Sequence, residues 1–467
     1  MTALRLDYPA ALQALQSRGR FGIRLGLSRT SALLAGLDHP ERSFRGVLIA
    51  GTNGKGSVLA LLTSALAAAG YRVGHTPKPH LVTYRERLQI GGVPIEREAF
   101  ARLAERVLPL ADRVARRHGD PTEFELLTAM TFLWFAESGI DLAVVEVGLG
   151  GRLDATHAWD GGVAVVTNVT LDHTDRLGST VEAIAREKAA IVMRGDQAVT
   201  GAWGSALDIV EGRCRRLAVP LTVTPPAPLI GRDRDGIEVE LGRLGGTRVG
   251  LRGSHQAANA AVADAALDAL EKAGIATVPD LARRAGYAAV HWPGRMELLE
   301  VPGRPPESGS GRPPESGRPG REVILDGAHN PAGAQALARG LDEIAPFLAS
   351  GRPTLVVAIM ADKDVDGVVA ALAECAFLRG SRVICTAPAG GRALPAAALA
   401  ARWRELAGRA AEAIAAPPEA LGEALATGSG PVVVAGSLYL VGAAREILVD
   451  DPLMEPDRPM PHSEQVP

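Results

Sequence analysis

Residues 45–57 read RGVLIAGTNGKGS, and the fold of the first half of the chain follows from them. A short apolar run (Val47, Leu48, Ile49) meets a glycine-punctuated turn ending in Gly54, Lys55, Gly56 and Ser57. A helical pattern, VLALLTSALAAAG, follows at once and closes at Gly70. Strand, glycine loop and helix in that order make a phosphate cradle. Backbone N–H groups and the positive helix end face the anion, a lysine adds a point charge, and a hydroxyl reaches Mg2+. The run departs from the usual GxxxxGK[ST] spacing, because position 49 is Ile and Gly56 separates the lysine from Ser57. The candidate phosphate-binding residues are Gly51, Thr52, Asn53, Gly54, Lys55, Gly56 and Ser57.

Lysine usage sharpens this reading. Of 50 Lys and Arg residues only five are lysine: Lys55, Lys78, Lys188, Lys272 and Lys363. Arginine supplies the general positive surface, so a retained lysine is informative. Arginine cannot replace a compact ammonium on a phosphate, and it cannot give up its proton for chemistry. Lys272, in ALEKAG at a helix end, reads as a solvated surface residue; the other four fall inside motifs.

At 467 residues the chain is too long for one ordinary core and implies two to three domains. A hydrophobic content of 47% and a formal net charge of −3, with acids and bases interspersed, describe a soluble globular protein and give no nucleic-acid surface. Cys214, Cys375 and Cys385 are too few and wrongly spaced for a disulfide framework or a zinc site, which fits a reducing cytoplasm. The N-terminal MTALRLDYPAALQAL lacks an uninterrupted apolar signal core, and no apolar run reaches the ~18 residues a membrane helix needs.

Through residue 296, continuous apolar strands (46–50, 141–147, 162–167) alternate with helical segments, including a long alanine-rich helix over 255–273. Strands that are apolar on both sides lie in a parallel sheet between helix layers. The expected fold is α/β: a mostly parallel sheet domain with the phosphate loop and helices on both faces (1–296), then a smaller Rossmann-like α/β domain (297–450). The stretch 303–320 carries GRPPESG twice and reads as an inserted disordered loop within a hairpin, and the proline-rich tail 451–467 reads as disordered.

Polar residues just past strand ends are the remaining candidates, since open α/β sheets bind ligands at that edge. Glu146 ends the strand LAVVEV and is placed to hold Mg2+; pairing with an arginine such as Arg152 is the plain alternative. His173, in VTNVTLDHTDRLG, shares that edge and suits a metal or phosphate. Lys188, in IAREKAAIV, lies on a helix with apolar flanks. It either pairs with Asp172 or Asp175 or, as a neutral amine, takes up CO2 to become an anionic carbamate. Asp326 and His329 in ILDGAHNPAG, and Arg295 in HWPGRME, suggest that a second domain clamps the nucleotide at a cleft, with Lys363 on its rim.

Taken together, GTNGKGS, EVGLGGRLDAT, TNVTLDHTDRLG, REKAAI, GSHQAANAA, WPGRME, LDGAHNP, MADKDV and GSLYLVGAA resemble, in order, the signatures of the folylpolyglutamate synthase and bifunctional dihydrofolate synthase family of the Mur-ligase superfamily, over about residues 20 to 448. The resemblance implies an ATP-dependent ligase that adds L-glutamate to dihydropteroate and to folates through an acyl phosphate, acting as a monomer. It implies that Lys55 and the loop amides hold the ATP phosphates, and that Ser57 and Glu146 bind one Mg2+. A second Mg2+ would be held by Glu146, His173 and an N-carboxylated Lys188. Asn259 would contact adenine, with Arg295, Asp326 and His329 as further ATP contacts. Thr122 and Phe124 in PTEFELLT, with Asp154 and Ala155, match pterin-site positions: an acid can accept paired hydrogen bonds from the aminopyrimidinone edge, and a phenyl ring can stack on it. Phe124 would otherwise be a core residue.

One departure stands out. The family's Ser-Pro-His, whose serine is a Mg2+ ligand, is replaced by Thr76-Pro77-Lys78-Pro79-His80. Either Thr76 substitutes on a shifted loop or Lys78 supplies charge in place of the hydroxyl. Rival readings are a monofunctional folylpolyglutamate synthase, a ligase of the same fold acting on a cell-wall precursor, and a nucleotide-switched binding protein.

Overall fold

The computed structural model describes residues 6–19, 26–302, 320–388 and 392–457. The first domain is built on an eight-stranded sheet. In spatial order its strands are Val93–Pro94, Gln89–Ile90, Val73–Thr76, Leu142–Glu146, Arg45–Ala50, Gly162–Val166, Gln197–Thr200 and Leu221–Val223. The last six run parallel, and the two short ones extend the sheet antiparallel. Arg45–Ala50 is central, with Ile49 beside Glu146 and Ala50 beside Val166. The strand that feeds the glycine loop is therefore flanked by the two strands that deliver Glu146 and His173.

Alternate residues of the central strand feed two cores. Leu48 and Ala50 pack into one with helices Arg97–His118 and Glu123–Ser138, while Val47 and Ile49 pack into the other with helices Lys55–Ala68 and Gln256–Lys272. This is why the strands read as uninterrupted apolar runs. Helix Lys55–Ala68 begins at the lysine itself and, having core on most sides, buries Val58 to Leu62 without a break.

A three-stranded antiparallel sheet, Leu229–Asp233, Gly236–Leu241 and Gly245–Val249, was not expected from the α/β rhythm. Its middle strand alternates in burial, with Ile237, Val239 and Leu241 inward and Glu238 and Glu240 outward. That period of two, together with the Asp235-Gly236 turn, is the hairpin signal.

The second sheet opens at Glu297. Its order is Glu297–Val301, Arg321–Leu325, Val432–Ala435, Thr354–Val357, Arg382–Cys385 and Glu412–Ala413, all parallel except the first pair. Glu297–Val301 and Arg321–Leu325 pair antiparallel across the tandem repeat, which, Gly320 apart, lies outside the described residues. The three cysteines are buried and unpaired, and among the described residues no helix is long and apolar enough to cross a membrane.

The expectation of disorder from Asp451 onward does not hold for residues 451–457. Pro452–Met454 forms a 3-10 turn, and Asp457 accepts hydrogen bonds from the Tyr8 hydroxyl (2.6 Å), the Thr83 hydroxyl (2.9 Å) and the Tyr84 amide (2.9 Å). Arg85 donates to the Leu453 carbonyl and Arg97 pairs with Glu455. Composition suggested a solvated tail, but a carboxylate with three donors, one from helix Tyr8–Gly19 and two from the segment Thr83–Tyr84, overrides it; the rest of the tail, 458–467, lies outside the described residues. Truncation after Asp450 should lower the melting temperature by a few degrees, because those donors lose their acceptor. An unchanged thermal transition by circular dichroism would show that the strap contributes nothing.

Candidate active site

The loop after Arg45–Ala50 is held by the segment that follows the neighbouring strand. The Thr52 amide donates to the Asn168 carbonyl and the Asn53 amide to the Asn168 side chain (both 2.9 Å), and the Thr167 hydroxyl donates to the Asn53 carbonyl (2.7 Å). The TNVT motif thus staples the loop. Gly54 caps helix Lys55–Ala68 at φ +85°, and a Cβ there would lie 2.3 Å from Asn259 Oδ1. Glycine lets the loop turn left-handed and lets Asn259 approach.

Inside the loop, Lys55 Nζ donates to the carbonyls of Gly51 and Thr52 (3.0 Å each), and Lys188 Nζ donates to the same Gly51 carbonyl (2.8 Å). Lys188 is 5% exposed and makes no ion pair with Asp172 or Asp175 among the described residues. Burial and the neighbouring Lys55 ammonium lower its amine to about pKa 7. Lys55 is lowered too, chiefly by burial, with Glu146 and Asp172 opposing.

Glu146, 4% exposed, accepts from the Lys78 amide at Oε2 (3.0 Å), and its Oε1 lies 3.9 Å from Lys55 Nζ. Burial pushes its carboxyl up while the surrounding cations pull it down. Glu146 makes no pair with Arg152, which bonds Glu187 instead. Lys78 Nζ donates to the Glu146 carbonyl (2.6 Å) and stands 4.7 Å from the centre of the Phe124 ring; burial lowers it to about pKa 8. Thr76 ends its strand, buried, and lines a small void that Phe124 also lines, not the main cleft. Of the two options at the departure, Lys78 is the one that faces the site.

Across the cleft stands the second domain. His173, in the left-handed region at φ 51°, follows Asp172, whose carboxylate accepts from Lys363 Nζ (2.8 Å) and Asn330 Nδ2 (3.0 Å). Burial pushes Asp172 up, but Lys363 outweighs it and holds the carboxyl well below the usual range. Lys363 Nζ is also 3.2 Å from His173 Nε2. The amides of Asn53 and Asn330 bond each other across the domain boundary (3.1 and 3.3 Å). His329 Nδ1 donates to the Gly327 carbonyl (2.7 Å), and burial keeps the ring neutral, near pKa 4. Both oxygens of Asp326 accept backbone amides, Met296 and Ala328 (2.8 Å each), so it shapes the turn as well as facing the cleft.

On the remaining wall, Thr122 caps helix Glu123–Ser138 in a reciprocal capping box with Glu125. Asp154 accepts from the amides of Leu149 and Thr156, and Ala155 follows it. Phe124 is half-buried and belongs to none of the core clusters, so it is not a core residue. One cleft of about 640 Å³ is lined by Gly51–Ser57, Glu146, His173 and Lys188, with Thr122, Phe124, Asp154 and Ala155 on one side and Asn259, Arg295, Asp326 and His329 on the other; of the residues named from the sequence, Thr76 and Lys363 are not in its lining. Sequence reasoning missed the roles of Asp172, Asn330 and Asn168, although all three sit inside quoted motifs. Among the described residues, no three His, Cys, Asp or Glu side chains form a ready-made metal cage.

Residues 49–200 match the Mur ligase middle domain, and residues 315–438 the glutamate ligase domain of Mur ligases. Over 372 residues the chain is 34% identical to the dihydrofolate synthase/folylpolyglutamate synthase of Bacillus subtilis, covering 78% of this chain and 82% of that one. Its structure is similar to that of Mycobacterium tuberculosis folylpolyglutamate synthase complexed with ADP and AMPPCP, with a TM-score of 0.81, 32% identity and coverage of 95% and 100%. It is also similar to a bifunctional folylpolyglutamate synthase/dihydrofolate synthase with Mn, AMPPNP and L-glutamate bound, with a TM-score of 0.77, 28% identity and coverage of 95% and 100%.

Proposed function

Since the chain belongs to the folylpolyglutamate synthase/dihydrofolate synthase family of the Mur ligases, we propose that it ligates L-glutamate both to dihydropteroate and to folates through an acyl phosphate formed against the Gly51–Ser57 loop. ATP-dependent ligation of glutamate to folates, with a divalent metal, is the activity of this family, and membership sets aside the cell-wall and switch readings. The observation that carries the finer proposal is the single cleft, which joins a phosphate loop to an aromatic and acid pair suited to a pterin.

In this reading the loop amides and Lys55 hold the β- and γ-phosphates. Phe124 stacks on the pterin and Asp154 accepts from its edge, aiming the acceptor carboxylate at the γ-phosphorus. A carboxylate oxygen attacks there, and the bond to ADP breaks. The amine of glutamate then attacks the acyl carbon, and phosphate leaves. The second domain faces the first across the cleft, and its closure excludes water that would hydrolyse the acyl phosphate.

The donors present fit Mg2+. Glu146 is a buried carboxylate whose ionised form needs cations around it, and Ser57 adds a hydroxyl, both hard oxygen ligands. His173 and Glu146 would share a second ion more tightly with Lys188 carboxylated, since its ammonium form repels a cation. The ions would neutralise charge between carboxylate and polyphosphate.

Purified protein should release phosphate only when ATP, L-glutamate and a pteroyl acceptor are all present. Phe124→Ala should raise KM for dihydropteroate about tenfold or more through lost stacking, with KM for ATP unchanged. Equal KM values for dihydropteroate in both proteins would move the pterin elsewhere.

A further inference from the structure

Asp172 belongs to the first domain, on the segment that staples the phosphate loop, yet the side chains that bond its carboxylate, Lys363 and Asn330, both come from the second. The Lys363 ammonium donates to Asp172 Oδ1 at 2.8 Å and lies 3.2 Å from His173 Nε2, the imidazole lone pair expected to take a metal. An ammonium between a carboxylate oxygen and an imidazole lone pair occupies the electron pairs that a divalent cation would use there. We infer that Lys363 is a tethered cation that holds the His173 cation position, so that a divalent ion enters only as Lys363 withdraws. This rests on the reading of His173 as a metal ligand.

The base of the tether is fixed. The Lys363 amide donates to the Met360 carbonyl (3.1 Å), the next residue, Asp364, caps helix Val365–Glu374, and the Lys363 side chain is 9% exposed. A shift of the second domain therefore carries the ammonium away from His173, and Asn330, which touches both Asp172 and Asn53 of the phosphate loop, shifts with it. Metal entry and the release of these inter-domain contacts become one event. The choice of residue fits this role. In a chain with 45 arginines, a planar guanidinium would bind the carboxylate side-on, whereas a compact ammonium fills a spherical cation's place. Lys363 is on this account a positioning residue, coupling cation occupancy to the inter-domain contacts.

The test is a Mn2+ titration of the full-length protein without nucleotide, counting free Mn2+ by electron paramagnetic resonance, in wild type, Lys363→Met, His173→Ala and the double variant. Lys363→Gln serves as a second neutral replacement should the methionine variant melt early. Lys363→Met should bind a Mn2+ at least tenfold tighter than wild type, and the gain should vanish in the double variant. A purely structural ion pair would not move the isotherm. If both neutral variants bind Mn2+ as wild type does while His173→Ala weakens it, the tethered-cation inference falls and the metal role of His173 stands. If His173→Ala changes no isotherm in any background, the metal role falls and the inference with it.

Discussion

Lys55→Ala should lower kcat by roughly 10²–10³-fold, the range expected when one donor to developing transition-state charge is removed from a water-poor site. The fold should survive, because Lys55 bonds only two loop carbonyls, Gly51 and Thr52, and its stem starts a helix held by core contacts. Lys55→Arg should not restore activity, since a guanidinium has no room between those carbonyls and Glu146, 3.9 Å away. Lys188 should respond as well: both ammoniums share the Gly51 carbonyl and Lys55 lowers the Lys188 amine, so the amine should titrate higher in Lys55→Ala. Retention of more than about a tenth of the activity, against the 10²–10³-fold loss expected, would overturn the role of the phosphate loop.

Lys188→Ala should cost about 10²-fold in kcat, and a small carboxylic acid such as acetate should restore part of it by supplying the anionic oxygens of a carbamate. The sequence left two options for this residue, and the structure shows neither aspartate pair; the amine faces a carbonyl instead, buried and near pKa 7. An amine that is half neutral at neutral pH can react with CO2, whereas one left at 10.5 would scarcely do so. Activity should therefore gain from added bicarbonate, the more so as pH rises through about 7. The linkage has the same sign. The unfolded chain keeps this proton up to its ordinary pKa of 10.5 and the folded one releases it near 7, so between those values the unfolded state binds more protons and stability rises with pH. An active Lys188→Arg, or bicarbonate without effect, would end the carbamate proposal.

What could be read in the sequence is what neighbours in the chain determine. Strand, glycine loop and helix at 45–68 are contiguous, and Glu146 and His173 lie just past apolar strands, so the edge rule for α/β sheets finds them without knowledge of strand order. The scarcity of lysine pointed further than any single motif: Lys55, Lys78 and Lys188 line the cleft, and Lys363 reaches Asp172 from the second domain. What escaped depends on distant pairing. The Asn53–Asn330 and Asp172–Lys363 contacts bridge segments 277 and 191 residues apart, and neither partner's local sequence names the other. Asp457 looked solvated by composition and is instead bonded to Tyr8, 449 positions away. The small antiparallel sheet was legible in the alternation of Ile237, Val239 and Leu241, but the stronger α/β rhythm masked it.

The central claim is that a pteroyl carboxylate takes the γ-phosphoryl group of ATP before glutamate attacks, in the cleft that joins Lys55 to Phe124 and Asp154. It is tested most directly by running the ligation with dihydropteroate labelled with 18O in its carboxylate and measuring the label in the released phosphate by mass spectrometry. Attack by that carboxylate puts one of its oxygens on phosphorus, and aminolysis of the acyl phosphate leaves it there, so each phosphate should carry one 18O. Unlabelled phosphate released in step with product would contradict the account.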